Sequence, residues 1–374
     1  MKVGIISMQR VVNCGSYLQA YALKKIIESL GHEVVFIDYK VEKPICCNKE
    51  DLRVYRKNLI KNVILNTLSD LPVLFPLLPE EVCYSVKDRH SYKSKYFYQL
   101  GLSKNKKYHT RVDTVVIGSD EVFNCFQLNP EVGFSPELFG KNSNASKVIT
   151  YAASFGNTTF EEIEKYGKKD ELESYFNRMS ALSARDNNSA EIIRNLTGMN
   201  PSHNLDPVLI YGFGKEIPDI DITEEYLLVY AYRRRIMPEE AEAIVSFAKE
   251  KGLKTISVGG YQPFCDKNIL VSPFEVLGYF RKAKYIFTDT FHGTIFSVIN
   301  HKQFVTFVRE GHGKNYGNSE KMNGLLSDLG LSTRKVTDLK QIPYQMELNI
   351  DYESVDLILE SERKKSREYL IESI

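Results

Sequence analysis

One stretch constrains the fold more than any other: Lys284-Tyr-Ile-Phe-Thr-Asp-Thr-Phe-His292-Gly293-Thr294-Ile-Phe-Ser-Val-Ile-Asn300. It opens as a buried strand, because Tyr285, Ile286 and Phe287 need cover on both faces. It closes as an apolar helix whose buried stripe is Ile295, Phe296, Val298 and Ile299. A strand running straight into a helix sets free N–H groups and the positive helix end at the strand's carboxyl edge. Open α/β folds bind anions there. Gly293 lets a ligand approach the backbone closely, and His292 would stand beside that anion with a titratable proton. The plainer alternative makes His292 a helix-start residue satisfied by Asp289, and both readings stand.

The same alternation recurs before and after this stretch. Lys2–Ser7, a helix from Asn13 to Gly31 and Glu33–Asp38 form a β-α-β unit whose first turn holds Asn13 and Gly15. One glycine there, without a G-x-G-x-x-G or Walker pattern, is a weak phosphate signal. Asp113–Asp120 ends in Gly118-Ser119-Asp120, small residues and a carboxylate at a strand's carboxyl end. Lys147–Gly156 ends in Ser154 and Gly156, and Ala181–Asp186 sets Arg185 at another strand edge. Asp120 as a helix cap and Arg185 as a surface ion pair with Asp186 are the bland readings. Residues 212–225 read as a linker, after which strands are expected at Tyr226–Tyr232, Leu253–Val258 and Gln303–Val308. Helices are expected at Pro238–Gly252, Pro273–Arg281, Lys321–Gly330 and Val355–Ile371.

The expected fold is therefore α/β: two Rossmann-like domains facing a cleft, in a glycosyltransferase-B-like arrangement. The first spans 1–215 with an insertion at 40–112. The second spans 216–350, and a helix in 351–374 crosses back to the first. The insertion carries an apolar run from Leu59 to Leu78 broken by Pro72 and Pro76, preceded by Arg53, Arg56, Lys57 and Lys61. From Lys87 to Arg111 it has eight Lys or Arg against one acid, Asp88. It is either helical cover for the sheet, the plainer reading, or a segment lying on an anionic membrane surface.

The 374 residues allow two domains, and a formal net charge of +1 gives no general sign of nucleic-acid binding. Neither a secretory leader nor a spanning helix is expected. Six cysteines without a Cys-x-x-Cys pair or ligand spacing read as reduced thiols of a cytoplasmic protein, and no metal cluster is expected.

Several of these segments, in order, resemble the polysaccharide pyruvyl transferase family. They are Asn13–Leu23, Ile117–Phe123, Tyr151–Gly156, Ser183–Asp186, Leu205–Pro207 and Thr288–Thr294. The chain departs from the family pattern at Cys14, Glu121, Phe123 and Lys321. The resemblance implies transfer of the pyruvyl group of phosphoenolpyruvate to two hydroxyls of one sugar, forming a ketal and releasing phosphate, with no cofactor and no metal. Such a donor demands cations and backbone donors for its carboxylate and phosphate. Its methylene must gain a proton, and a hydroxyl must lose one. Arg185, Gly293, Thr294, Arg233 and Arg234 answer the first demand. Asp120 and His292 answer the second, with Asp120 as base and His292 as phosphate stabiliser or acid, or the reverse. Asn13, Gly15, Ser119 and Ser154 line the acceptor side or the cleft. The expected partners are phosphoenolpyruvate and a glycan, lipid-linked in one reading, with residues 55–111 contacting that acceptor or its membrane. A nucleotide-sugar glycosyltransferase of the same fold and a non-catalytic glycan-binding protein are the alternatives.

Overall fold

The computed structural model describes residues 1–46, 48–309 and 319–374. Cys47, one of the expected reduced thiols, lies outside the described residues. Two parallel sheets form the frame. The first contains β1 (Lys2–Ile6), β2 (Glu33–Phe36), β3 (Thr114–Asp120), β4 (Lys147–Ala153), β5 (Ser183–Ala184) and β6 (Ser202–His203), in the order β2-β1-β3-β4-β5-β6. The second contains β7 (Tyr226–Tyr230), β8 (Lys254–Val258), β9 (Lys267–Ile269), β10 (Tyr285–Thr288) and β11 (Gln303–Thr306), in the order β11-β10-β7-β8-β9. Each order reverses once, between β1 and β3 and between β7 and β10. Those reversals mark the places where an open α/β sheet leaves a crevice beyond its strand ends.

Burial on both faces explains why the central strands read as continuous apolar runs. All seven residues of β3 and all five of β7 are buried. The strand-to-helix stretch at 284–300 forms as expected: β10 runs into the helix Phe291–Ile299, with Thr290 as its cap accepting from the Gly293 N–H. The helix Cys14–Ser29 follows β1 and packs on Pro207–Tyr211 and on Pro273–Lys282 of the second half. One continuous core therefore contains Leu18 and Leu23 from the first half together with Val276, Phe280 and Phe296 from the second. This joined pair of doubly wound sheets is the glycosyltransferase-B type of arrangement. The helix Tyr352–Ser373 touches both halves: its Tyr352 hydroxyl donates to Lys302 O at 2.6 Å, and its Ser366 hydroxyl accepts from Asn204 Nδ2 at 3.3 Å.

The insertion departs from the plain expectation of sheet cover. Its helix Lys49–Ser69 buries only Ser69, so the apolar run expected to cover the sheet points largely outward. Cover comes instead from further along, through Tyr92, Tyr96, Phe97 and Leu100. Among the described residues, no helix is long and apolar enough to cross a membrane.

Candidate active site

Four charged or titratable side chains meet where the carboxyl ends of the two sheets face each other. Asp120 ends β3, Arg185 follows β5, Asp206 caps the helix Pro207–Tyr211, and His292 lies in the first turn after β10. All four are buried. The Asp120 Oδ2 accepts from the Ser16 hydroxyl at 2.7 Å, and its Oδ1 stands 3.9 Å from Arg185 Nη2. Arg185 Nη1 donates to Asp206 Oδ2 at 2.8 Å, and His292 Nε2 lies 3.5 Å from that same oxygen. The order Ser16, Asp120, Arg185, Asp206, His292 thus runs from the first half into the second.

The electrostatics are those of a guanidinium between two carboxylates. Burial opposes the charge on Arg185, but Asp206 and Asp120, then Asp186 and Glu121, outweigh it and raise its affinity for the proton. Burial alone would raise the Asp206 carboxyl; the His292 ring and the Arg185 guanidinium reverse that and hold it at about 2. The Arg185 guanidinium also sits 4.3 Å above the Phe291 ring. Its Nε and Nη2 are buried without a hydrogen-bond acceptor among the described residues. Unsatisfied buried donors are costly, so a buried cation with two open donors marks a place for a ligand's oxygens. Beside it lies a recess of about 20 Å³ lined in part by Asp186, Phe291, Lys321 and Asp328. A larger cavity of about 330 Å³, lined in part by Ile37, His109 and Lys141, shares no lining residue with the cluster.

The histidine ring is seated by a residue from the other half. A Cβ added to Gly15 would come within 2.3 Å of His292 Nδ1. Gly15 is thus needed for a close approach of the first helix to the ring. Asn13 caps that helix through Ser16 N, and its Nδ2 reaches across to the Tyr232 hydroxyl at 3.2 Å. Ser119 donates to Ala152 O at 3.2 Å and lies 3.4 Å from Asp206 Oδ2. Ser154 faces away from the four, bonding Asp186 Oδ2 at 2.6 Å and so bracing the next helix cap.

The second half places its expected donor ligands differently. The Gly293 N–H is taken up by Thr290 Oγ1 at 2.9 Å, and a Cβ there would strike Thr288 Oγ1 at 2.0 Å and Thr290 Oγ1 at 2.7 Å. Gly293 therefore admits its own strand and cap rather than the ligand first inferred for it. Thr294 is buried beneath the turn, with its hydroxyl 3.3 Å from both Thr290 O and Thr306 Oγ1. Arg233 and Arg234 lie apart from the four-residue cluster, and both bind Glu81 of the insertion. The Arg233 bond, then Arg234, overcome partial burial and hold the Glu81 carboxyl at about 2. Asp289, the partner first considered for His292, instead accepts from Tyr232 N at 3.2 Å and pairs with Arg235 at 2.9 Å.

Asp206 and Ser16 are the residues that sequence reasoning left out of the site. The Leu205-Asp206-Pro207 segment was visible, but Asp206 is a helix cap by pattern alone, accepting from Val208 N at 3.0 Å. Its bond to Arg185 appears only once β5 and β6 lie side by side, and its approach to His292 only once the halves are joined. Lys321 pairs with Glu121, and its ammonium lies 5.7 Å from the Phe291 ring centre. Among the described residues, no group of three or more His, Cys, Asp or Glu side chains is placed to hold a metal ion.

The sequence model of the family described as polysaccharide pyruvyl transferase matches residues 13–311. The chain belongs to that family. The match begins at Asn13 and takes in every residue of the Asp120–Arg185–Asp206–His292 cluster. No curated protein matches this pyruvyl transferase family member. Among solved structures it is similar to UDP-GlcNAc 2-epimerase of Methanocaldococcus jannaschii in complex with UDP-GlcNAc and UDP, at 12% identity and a TM-score of 0.47, covering 100% of this chain and 99% of that one. It is also similar to UDP-GlcNAc 2-epimerase of Neisseria meningitidis bound to UDP-GlcNAc, at 12% identity and 0.45, covering 97% and 100%. A third is α,α-trehalose 6-phosphate synthase of Burkholderia multivorans, at 8% identity and 0.45, covering 100% and 97%.

Proposed function

We propose that this pyruvyl transferase family member moves the pyruvyl group of phosphoenolpyruvate onto two hydroxyls of one sugar, in a cell-surface polysaccharide or its lipid-linked precursor. The family supplies the reaction class. The observation that carries the residue roles is Arg185, a buried guanidinium with two open donors between Asp120 and the Asp206–His292 pair.

In this reading Arg185 holds the donor's phosphate or carboxylate through its planar fork. The donor's methylene takes a proton and becomes a methyl group, leaving C2 electrophilic. Asp120 removes the proton of the first attacking hydroxyl as its oxygen bonds to C2. The C2–O bond to phosphate then breaks, with His292 donating to the leaving oxygen, and the second hydroxyl closes the ketal. Of the two hydroxyl protons, one balances the proton taken by the methylene and the other leaves with phosphate. Asp206 acts through its neighbours: it fixes the Arg185 fork and orients the His292 ring.

The test is phosphate release. The protein is incubated with phosphoenolpyruvate and glycans bearing galactose, mannose or N-acetylhexosamine. Release that requires both donor and one glycan is the expected result. Sugar transfer from a nucleotide sugar, with phosphoenolpyruvate left intact, overturns the proposal.

A further inference from the structure

The helix Lys49–Ser69 and the turn Pro72–Leu77 that follows it hold an apolar face in solvent. Leu59, Ile60, Val63 and Ile64 are exposed on the helix, and beyond it Val73 is 80% and Leu77 78% exposed. Monomeric proteins seldom leave this much apolar surface uncovered without a use for it. Arg53, Arg56, Lys57 and Lys61 are exposed on the same helix. At 3.6 residues per turn, these apolar and cationic positions share one side of the helix, within about 200°. No acid occurs between Leu52 and Ser69, and among the described residues none of the four cations makes an ion pair.

This chemistry selects its occupant. A second copy of the chain packed on the same face by twofold symmetry would set four cations against four. A nucleic acid would meet the charges but leave Val73 and Leu77 wet. An anionic bilayer satisfies both demands, with headgroups for the cations and the acyl boundary for the apolar side chains.

We propose that the face formed by Leu59, Ile60, Val63, Ile64, Val73 and Leu77 with its four flanking cations docks the protein on an anionic lipid surface. The face lies next to the cleft. The helix packs on the one that follows it, Glu80–Ser91, whose start lies against Arg233 and Arg234. Glu81, in the first turn of that helix, binds both of them directly. Docking through this face therefore sets the cleft mouth near the headgroups, where a lipid-linked acceptor would present its sugar. Delivery of that acceptor rests on the transfer reaction proposed above; the docking itself does not.

Vesicle co-sedimentation without donor or acceptor tests the docking alone. The intact protein is mixed with vesicles of phosphatidylglycerol and phosphatidylcholine at about one to two, and with phosphatidylcholine alone. Binding only to the anionic vesicles, weakening with added salt, is expected. Arg56→Gln with Lys57→Gln should lower that affinity roughly twenty- to thirtyfold, at about fivefold per cation. Val73→Ser with Leu77→Ser should also weaken it strongly, with circular dichroism unchanged because both positions are exposed. The proposal is overturned if the protein ignores anionic vesicles or if both double variants bind them as the parent does. It is equally overturned if the protein forms a dimer that Ile64→Asp splits while vesicle binding is absent.

Discussion

Asp206 and His292 come from opposite halves of the molecule, yet the carboxylate Oδ2 and the ring Nε2 stand 3.5 Å apart. The same oxygen takes a 2.8 Å bond from Arg185. One carboxylate thus orients a fixed cation and a titratable ring together, and the site exists only where the halves meet.

Asp206→Asn should therefore damage both stability and turnover. It leaves the buried Arg185 without its charged partner, which costs about 3–5 kcal/mol when a buried pair is broken. The sign for pH follows from a carboxyl held at about 2 in the fold, below its ordinary value. Its stabilisation is present above the unfolded-state range near 4 and is lost as pH falls through about 2. Urea unfolding between neutral pH and pH 3 should show the parent losing stability that the variant never had.

Arg185→Lys keeps the charge and loses the fork. The Nε and Nη2 donors disappear, so the Michaelis constant for phosphoenolpyruvate should rise about tenfold or more, in line with hydrogen bonds to charged groups. Steady-state phosphate release at varied donor concentration gives the answer. Unchanged constants would remove Arg185 from donor binding.

His292→Ala should cut turnover by about a hundredfold or more if the ring moves a proton. His292→Asn keeps a hydrogen bond without the titration and should bind donor better than it turns over. Normal rates in both variants would make the ring a packing element.

Gly15→Ala tests the seat of that ring without touching its chemistry. The new methyl would come within 2.3 Å of Nδ1, so either the ring or the first helix must move. A displacement near 1 Å costs about a hundredfold at a reacting group. The melting temperature should change much less than turnover; equal and large losses in both would place the effect in the fold.

Asp88→Asn should stabilise the protein at alkaline pH. Burial pushes the Asp88 carboxyl up to about 7, only partly offset by Arg89. A raised carboxyl favours the fold most at pH below about 4 and loses that advantage as pH climbs through 7. The parent should lose up to about 4 kcal/mol across that window, and the variant should not.

Much of this arrangement was legible in the chain. Tyr285–Phe287 and Val115–Ile117 announce buried strands because every residue is apolar, and Gly118-Ser119-Asp120 and Arg185 fall at strand ends where ligands gather. Local pattern failed where the partner is distant. Nothing near Asp206 signals Arg185 or His292, and nothing near Arg233 signals Glu81. Gly293 has the composition of a ligand turn, but its space is filled by Thr288 and Thr290. β6 and β9, of two and three residues, are too short to show a period. The run at Leu59–Leu65 reads as core because apolar content does not reveal which side faces out.

Glu81 leaves the cleft mouth with an imbalance that has a kinetic meaning. A single carboxylate serves both Arg233 and Arg234, and Lys61 lies close enough to feel their charge. Those three cations outnumber Glu81 and its exposed neighbour Glu80, so the rim keeps a positive excess. A small multiply charged anion diffusing in from bulk water is drawn towards that rim before it meets any shaped surface, and its encounter rate should fall as ionic strength rises. Glu81, paired with both arginines, offsets part of that pull.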